Sequence, residues 1–371
     1  MISVFLKNAT TVMALVLSLQ GCVTAGVFPE SVNGQALPSL SPMLETVTPT
    51  VVNIRTEGKQ KLDESLMRDP FFKRFFGDMG ERRIDGTGSG VIVHAQLGHI
   101  LTNYHVLEGA ERITVTLHDG RELNAAIVGA DPKIDLAIIK IEAPDLNAIR
   151  FGNSEDLRVG DFVVAIGNPY GIGQSVTSGI ISALHRNPGI GEYENFIQTD
   201  ASINLGNSGG ALVNLRGELI GINTAILGGQ SGGNIGIGFA IPINTAASIV
   251  DQISRYGEVE RGLLGVEIID VDPRTATHSG LPANTGALIE RVFNGSSAEA
   301  AGLEAGDVIL RLNQSLIRGA SDVKSMLGSL RVGTPVEIIY IRSGTTYRTQ
   351  TNIGSTDSIR ESKQKPFWED N

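Results

Sequence analysis

The 371-residue sequence has few of the residues that several common kinds of site require. It contains one cysteine, which excludes an intramolecular disulfide framework and a metal site built from several thiolates. Lysine and arginine total 30 against 40 for aspartate and glutamate, so the net charge is −10 and no nucleic-acid surface is expected. None of the six histidines has metal-ligand spacing, and we expect neither a metal nor another cofactor.

A serine embedded in glycines, Gly-Asn-Ser-Gly-Gly at 206–210, is the most informative motif present. A serine attacks a carbonyl group only when a base takes its proton and N–H groups receive the charge that develops on oxygen. Glycines reach backbone conformations closed to other residues and let a substrate approach the main chain. The motif therefore indicates Ser208 as the nucleophile of an acyl transfer, with an ordinary turn as the alternative.

Such a nucleophile needs a histidine base and a carboxylate that orients it. His105 is the candidate base, because it follows an apolar run where a strand would open onto a turn. Surface or core roles are favoured for the other five histidines. Asp135 is the candidate carboxylate, because it stands at the mouth of an apolar, β-branched strand. Asp131 and Asp200 are rivals, but Asp131 is typical of a turn before proline and Asp200 lies on the serine's own segment.

Four blocks of sequence, at 102–106, 135–140, 167–171 and 198–212, carry a family resemblance. They resemble the signature blocks of the HtrA (Deg) serine proteases of the bacterial periplasm, and most of all the DegQ and DegS branches. The order His, Asp, Ser agrees with the chymotrypsin-like arrangement. The resemblance implies a serine endopeptidase in which His105, Asp135 and Ser208 are base, orienting carboxylate and nucleophile.

The pattern of short β-branched runs and turns along the chain predicts a mostly β protein with more than one domain. Short β-branched runs separated by turns recur over 43–257, and the resemblance selects a chymotrypsin-like double β-barrel there. A helix is expected at about 245–256, ending at Gly257. Residues 258–353 resemble one PDZ domain, and the polar tail at 354–371 leaves no room for a second.

The resemblance also assigns further roles within the protease. It implies an oxyanion hole at Gly206, Asn207 and Ser208. It implies that residues 237–239 pair with the substrate backbone and that the first specificity pocket is small and apolar, through Ile203, Ile237, Gly238 and Phe239. Arg186 is expected to regulate by touching the oxyanion segment, together with Tyr170, although a solvated arginine is the alternative.

Outside the catalytic blocks, the resemblance implies binding of peptides and partners. A loop that captures a peptide's terminal carboxylate is expected, with a simple turn as the alternative, at Gly262, Leu263, Leu264, Gly265 and Val266. The phenylalanine-rich segment at 69–77 is either a helix packed on its own core or a loop that crosses to another subunit of a trimer. Leu205 replaces the proline or arginine expected before Gly206, which leaves the resting shape of that loop open.

The first 25 residues form a signal segment, and residues 26–42 form a linker, by composition. Residues 8–29 are uncharged and contain a short apolar core that predicts export. Cys22 lies in a lipobox-like Leu-Gln-Gly-Cys, so a lipoprotein, a soluble periplasmic protein and an uncleaved membrane anchor all stay open.

Three functions remain in view from the sequence. The first is degradation of unfolded or misfolded envelope proteins in a stress response, with C-terminal peptides bound by the PDZ domain. The second is regulated cleavage of a membrane anti-sigma factor, and the third is a holdase that binds chains without cutting them. The complete set of catalytic residues favours an enzyme, because a binding module has no need of all three.

Overall fold

The computed structural model describes residues 31–32, 35–36, 39–60, 82–169, 173–188, 193–204, 206–228, 234–257, 259–272, 276, 281 and 285–355. Predictions for the signal segment with Cys22, for the segment at 69–77, and for Tyr170 and Leu205 lie outside these residues. The chain divides into two compact units, residues 1–42 and 43–371. In the first unit, β1 (Ser31–Val32) and β2 (Gln35–Ala36) form an antiparallel pair.

Helix α1 (Ser41–Val47) is followed, in the second unit, by a 3₁₀ turn at Thr48–Thr50 and a seven-stranded antiparallel sheet in the order β7-β6-β3-β4-β5-β9-β8. Its core is aliphatic and includes Ile54, Ile100 and Ile139, all fully buried. We call this seven-stranded sheet the first sheet. Its strands are β3 (Val51–Gln60), β4 (Arg82–His94), β5 (His99–Thr102), β6 (Ala110–Thr116), β7 (Glu122–Asn124), β8 (Ala126–Asp131) and β9 (Leu136–Lys140).

Six of the next seven strands form a closed barrel, because β15 pairs with β16 and completes the ring β15-β14-β11-β12-β13-β16. Strand β10 adds to β15 in parallel. Closure leaves few free strand edges. The strands of this second barrel are β10 (Arg150–Phe151), β11 (Phe162–Gly167), β12 (Ser175–Arg186), β13 (Phe196–Thr199), β14 (Ala211–Asn214), β15 (Glu218–Gly228) and β16 (Asn234–Pro242), with a 3₁₀ turn at Ser154–Asp156.

Helix α3 (Ile243–Tyr256) follows the barrel and confirms the helix predicted there, two residues longer at its start. Its apolar face buries Ala246, Ile249 and Ile253. Gly257 ends it in a left-handed conformation with φ of 80°, and its N–H donates to the Ile253 carbonyl. Among the helices that the structure describes, none is both long and apolar enough to cross a membrane.

The last domain contains a sheet in the order β17-β18-β19-β21-β22, with β20 beside β19, and the helices α4 (Ser297–Ala300) and α5 (Ala320–Ser329). Leu264, Ile289, Val323 and Ile338 are among its buried core residues. The bounds are β17 (Val266–Asp270), β18 (Ala287–Val292), α4 (Ser297–Ala300), β19 (Val308–Leu312), β20 (Ser315–Leu316), α5 (Ala320–Ser329), β21 (Pro335–Arg342) and β22 (Thr345–Asn352).

Candidate active site

His105 lies on a single helical turn, α2 (Tyr104–Leu107), directly after β5. Its ring Nδ1 lies 2.7 Å from Asp135 Oδ2, and its backbone N–H donates to Asp135 Oδ1 over 2.9 Å. The carboxylate therefore holds both the ring and the main chain of the histidine. Because Nδ1 faces a carboxylate, the proton of a neutral ring resides there and the Nε2 lone pair stays free to act as a base.

Asp135 occupies the turn between β8 and β9 in a left-handed conformation, with φ of 58°. Aspartate tolerates this conformation better than most residues. Two more groups fix it: Thr224 Oγ1 donates to Oδ2 over 2.7 Å, and Asn103 Nδ2 donates to its carbonyl over 2.9 Å. The rival carboxylates are engaged elsewhere, since Asp131 pairs with Arg261 and Asp200 accepts from the Ile180 N–H.

Ser208 lies on the second barrel's side of the site, where its Oγ donates to the Thr224 carbonyl over 3.2 Å. No hydrogen bond joins Ser208 to His105 among the residues the structure describes. Thr224 thus touches both halves of the site, through its hydroxyl to Asp135 and through its carbonyl to Ser208.

The loop that ends at Ser208 has two backbone amides, those of Gly206 and Ser208, without a partner among the described residues. The Asn207 N–H donates to the Asn204 carbonyl over 3.0 Å and closes a tight turn. Gly206 has φ of 95°, and a Cβ there would lie 2.4 Å from the Pro169 Cβ, so only glycine fits. Within the described part of the chain, the Gly206 and Ser208 amides donate to no atom. The Asn207 amide, which the sequence analysis placed in the oxyanion hole, is occupied by that turn.

Ser89 of β4, in the first sheet, forms two hydrogen bonds with this loop. The Ser89 Oγ donates to the Gly206 carbonyl over 2.6 Å, and the Ser89 N–H donates to the Ser208 carbonyl over 2.8 Å. Sequence reasoning missed both Ser89 and Thr224. No local signal marks them, because each is a hydroxyl residue in an ordinary strand whose partner lies 117 or 89 positions away.

The expected substrate strand at 237–239 needs correction. Ile203 and Phe239 are buried and Ile237 is half-buried. A Cβ on Gly238 would lie 2.9 Å from Ile203 Cδ1, so the structure brings Gly238 and Ile203 together. Gly238 and Phe239, however, pair with β13 on one side and β15 on the other. Barrel closure thereby leaves these two residues no free edge for a substrate.

The open edge near Ser208 belongs to β15 instead. Strand β14 pairs with β15 only as far as Ile222, and the Gly209 N–H then bonds to the Asn223 carbonyl. From Thr224 to Gly228, the side of β15 that faces Ser208 has no strand partner among the described residues.

The loop at 262–266 borders a groove of about 580 Å³ between β17 and α5. A Cβ on Gly262 would lie 1.6 Å from Ile353 Cγ2, and Gly265 has φ of 79°. Leu263 exchanges backbone hydrogen bonds with Gly354, whereas the amides of Leu264 and Gly265 donate to no described atom. The groove is mostly apolar and includes Leu264, Val266, Ile268, Phe293, Val323 and Leu327.

Tyr193, which precedes β13, forms part of the wall of this groove. Its ring lies against α5, where a Cβ on Gly328 would come within 2.4 Å of it. The Arg261 guanidinium lies 4.8 Å from the centre of the ring and forms an ion pair with the buried Asp131. The groove is therefore built by both the barrel and the last domain.

Arg186 ends β12 with an exposed side chain that forms no hydrogen bond or ion pair with the described residues. The side chain that does form polar contacts at the end of β12 is that of the neighbouring His185, which has φ of 57°. His185 Nδ1 lies 2.9 Å from Asn195 Oδ1 and 3.9 Å from Oδ1 of Asp322 on α5. The expected contact between Arg186 and the oxyanion segment is thus absent from the described structure.

Comparisons with known proteins agree with this architecture. A family model described as a trypsin-like peptidase domain matches residues 88–222, and one described as a PDZ domain matches residues 262–353. A probable periplasmic serine protease do/HhoA-like of Haemophilus influenzae is 46% identical over 346 residues, covering 88% of this chain and 73% of its own. The periplasmic pH-dependent serine endoprotease DegQ of Escherichia coli K12 is 42% identical over 370 residues, covering 96% and 81%.

Solved structures give the same picture. The structure of the HtrA-type protease AlgW with a decapeptide is 43% identical and superposes with a TM-score of 0.62. The match covers 85% of this chain and 98% of that one.

Proposed function

The chain belongs to the HtrA (Deg) family of periplasmic serine endoproteases, and from that premise we propose that it cleaves unfolded or misfolded envelope proteins through an acyl-enzyme on Ser208. The observation that carries the proposal is the His105–Asp135 contact of 2.7 Å beside Ser208 and two unpaired amides. His105 Nε2 takes the Ser208 proton as Oγ attacks the peptide carbonyl, and Asp135 stabilises the imidazolium that forms.

The Gly206 and Ser208 amides supply the oxyanion hole in this proposal. Both point to no protein acceptor among the described residues, so both are available to a carbonyl oxygen that gains charge. The His105 imidazolium then protonates the leaving amine, and water attacks the acyl-enzyme by the same route in reverse.

The substrate backbone pairs with the open edge of β15 that starts at Thr224. The Thr224 carbonyl, which accepts from Ser208 Oγ in the free protein, would accept from a substrate N–H instead. Substrate binding would thereby release the Ser208 hydroxyl to turn towards His105. Ile203 and Ile237 line a first pocket that suits a small aliphatic side chain, which unfolded chains expose.

The groove beside residues 262–266 binds the C-terminus of a peptide, with the Leu264 and Gly265 amides facing its carboxylate. We extend the proposal to a protease domain at 43–257, a PDZ domain at 258–353, a homotrimer and a periplasmic location, either as a soluble protein or held at the membrane by a lipid on Cys22 or an uncleaved signal anchor. Regulation by Arg186 and Tyr170 remains part of it, in a state of the protein in which Arg186 has moved to the oxyanion loop.

Casein hydrolysis by the purified full chain tests the proposal. Ser208→Ala should abolish hydrolysis and leave the melting temperature unchanged. Equal hydrolysis by both proteins would contradict the assignment of Ser208. If neither protein hydrolyses casein at elevated temperature or with an activating C-terminal peptide, while both prevent its aggregation, the chain is a holdase.

A second substrate separates degradation from regulated cleavage. The periplasmic domain of a membrane anti-sigma factor, offered beside casein, should be cut no faster than casein by a general protease. A strong preference for the folded anti-sigma domain, dependent on a peptide in the groove, would favour the regulatory function.

A further inference from the structure

Ser89 directs its polar groups at the residues around the nucleophile. It lies on β4 with no exposed surface. Its N–H donates to the Ser208 carbonyl over 2.8 Å and its Oγ donates to the Gly206 carbonyl over 2.6 Å. Its own carbonyl accepts from Thr102 Oγ1 over 2.7 Å. One residue of the first sheet thus holds two residues of the oxyanion loop.

The direction of the Ser89 hydroxyl bond is fixed by a third partner. The Asn168 N–H donates to Ser89 Oγ over 2.8 Å. A hydroxyl has a single proton to donate, and a backbone carbonyl can only accept. The Ser89 proton therefore points to the Gly206 carbonyl, and the hydroxyl links β4, the loop after β11 and the loop before the nucleophile.

The two residues that Ser89 holds are the two whose amides are unpaired. The carbonyls of Gly206 and Ser208 are anchored, while their N–H groups donate to no atom in the described part of the chain. The Gly206 carbonyl and the Asn207 N–H lie in one rigid peptide plane, and the Asn207 N–H bonds in turn to the Asn204 carbonyl over 3.0 Å. Two hydrogen bonds thus hold this plane and with it the Gly206 Cα, from which the Gly206 N–H extends. Glycine needs this support most, because it has the widest conformational freedom of any residue.

We propose that Ser89 is a positioning residue for the oxyanion hole: its hydroxyl holds the peptide plane that follows Gly206, and so fixes the Gly206 Cα from which the Gly206 amide is presented to the transition state. The inference rests on the proposed function, because it needs the Gly206 and Ser208 amides to act as the hole. An oxyanion hole accelerates a reaction only when its donors are oriented before charge develops.

The competing explanation is a buried serine that only satisfies its hydrogen bonds, which would affect stability and not turnover. Ser89→Ala removes the hydroxyl and keeps the backbone bond to Ser208. Thr50→Val is the matched control, because Thr50 is also buried and donates its hydroxyl to the Val47 carbonyl, away from the loop. Ser89→Cys keeps the shape and a weak donor, and it replaces Ser89→Ala if the alanine variant does not fold.

The measurements are kcat and KM on a chromogenic peptide, the affinity of a peptide boronate and the melting temperature. Ser89→Ala should lower kcat by roughly 10- to 100-fold, less than the loss of a whole donor, with KM within about two-fold. Boronate affinity should fall by a similar factor, because the adduct is tetrahedral like the transition state. Ser89→Cys should lie between alanine and the unaltered protein, and Thr50→Val should keep full kcat even where it melts lower.

An Ser89→Ala variant that keeps kcat and boronate affinity within two-fold would overturn the inference. The inference would also be overturned if Thr50→Val lost kcat as Ser89→Ala does, each in proportion to its loss of melting temperature. Failure of the proposed function looks different, because then the unaltered protein and Ser208→Ala would show the same activity on the peptide.

Discussion

The first sheet and the second barrel hold the groups of the candidate active site by different means. On the first sheet, hydrogen bonds fix the side chains of His105 and Asp135. On the second barrel, the amides of Gly206 and Ser208 donate to no described atom. Ser89 anchors the two carbonyls, while glycine conformation and close contact with Pro169 shape the loop around them. A polar contact fails when a bond is removed, whereas a close steric contact fails when an atom is added, so opposite kinds of mutation test the two halves.

Removing a charge from the first sheet should have the largest effect. Asp135→Asn should lower kcat by about 10⁴-fold, because an amide favours the wrong histidine tautomer and cannot stabilise the imidazolium. Stopped assays of peptide hydrolysis measure this, and Asp200→Asn is the control with a carboxylate outside the site. A kcat within ten-fold of the parent would mean that the His105–Asp135 pair does not serve catalysis.

Adding one methyl group to the second barrel's loop should come next. Gly206→Ala should lower kcat by roughly 10²- to 10³-fold, because the methyl group would meet Pro169 and displace an oxyanion donor. Gly160→Ala is a matched control, since Gly160 has φ of 96° but a Cβ there meets nothing within 4 Å. It should cost stability alone. Equal kcat in the two variants would contradict the role of the Gly206 amide.

Thr224 joins the two halves, and its removal should have an intermediate effect. Thr224→Val removes the hydroxyl bond to Asp135 and keeps the carbonyl that accepts from Ser208. A hydrogen bond to a charged group contributes about 1.5 kcal/mol or more, so kcat should fall about ten-fold. Thr199→Val, which removes a buried hydroxyl bonded to the Ile180 carbonyl, should leave kcat unchanged.

The smallest expected effect concerns the stability of the first sheet in acid. Burial, then the neighbouring His94 and Lys140, lower the pKa of His99 on β5. The unfolded chain therefore takes up the proton first, so stability is complete above the ordinary pKa and falls as pH drops below it. His99→Gln should narrow the difference in melting temperature between pH 7.5 and pH 5.5 by about a degree or two.

His118→Gln is the control for replacing a histidine by glutamine at an exposed position. Water screens the charges around a partly exposed ring, which is why the effect ranks last. An identical pH dependence in the parent and His99→Gln would show that His99 does not contribute.

Sequence reasoning reached the fold, and it named the three residues proposed as catalytic, because both leave local marks. Glycines flanking Ser208, a strand end at His105 and the apolar run after Asp135 are all readable without a structure. The family and the mostly β fold with one PDZ domain are confirmed by the comparisons.

Contacts between distant strands leave no such mark. Ser89 and Thr224 contact the site across 117 and 89 positions, and nothing in their own segments indicates it. The substrate strand that the resemblance implied at 237–239 is contradicted at Gly238 and Phe239, which pair with other strands on both sides. An apolar segment predicts a strand, but which of its edges stay free depends on how the barrel closes.

Because Tyr193 forms part of its wall, the groove beside 262–266 is built from two domains, and this affects how the affinity of the groove for peptides should be measured. A PDZ domain excised from the chain would lack the ring that lies on Gly328, together with the Asp131 partner of Arg261. Its groove would be wider at that end, so peptide titrations on the fragment would describe another binding site. Libraries screened against the intact chain and against the fragment should therefore return different consensus sequences.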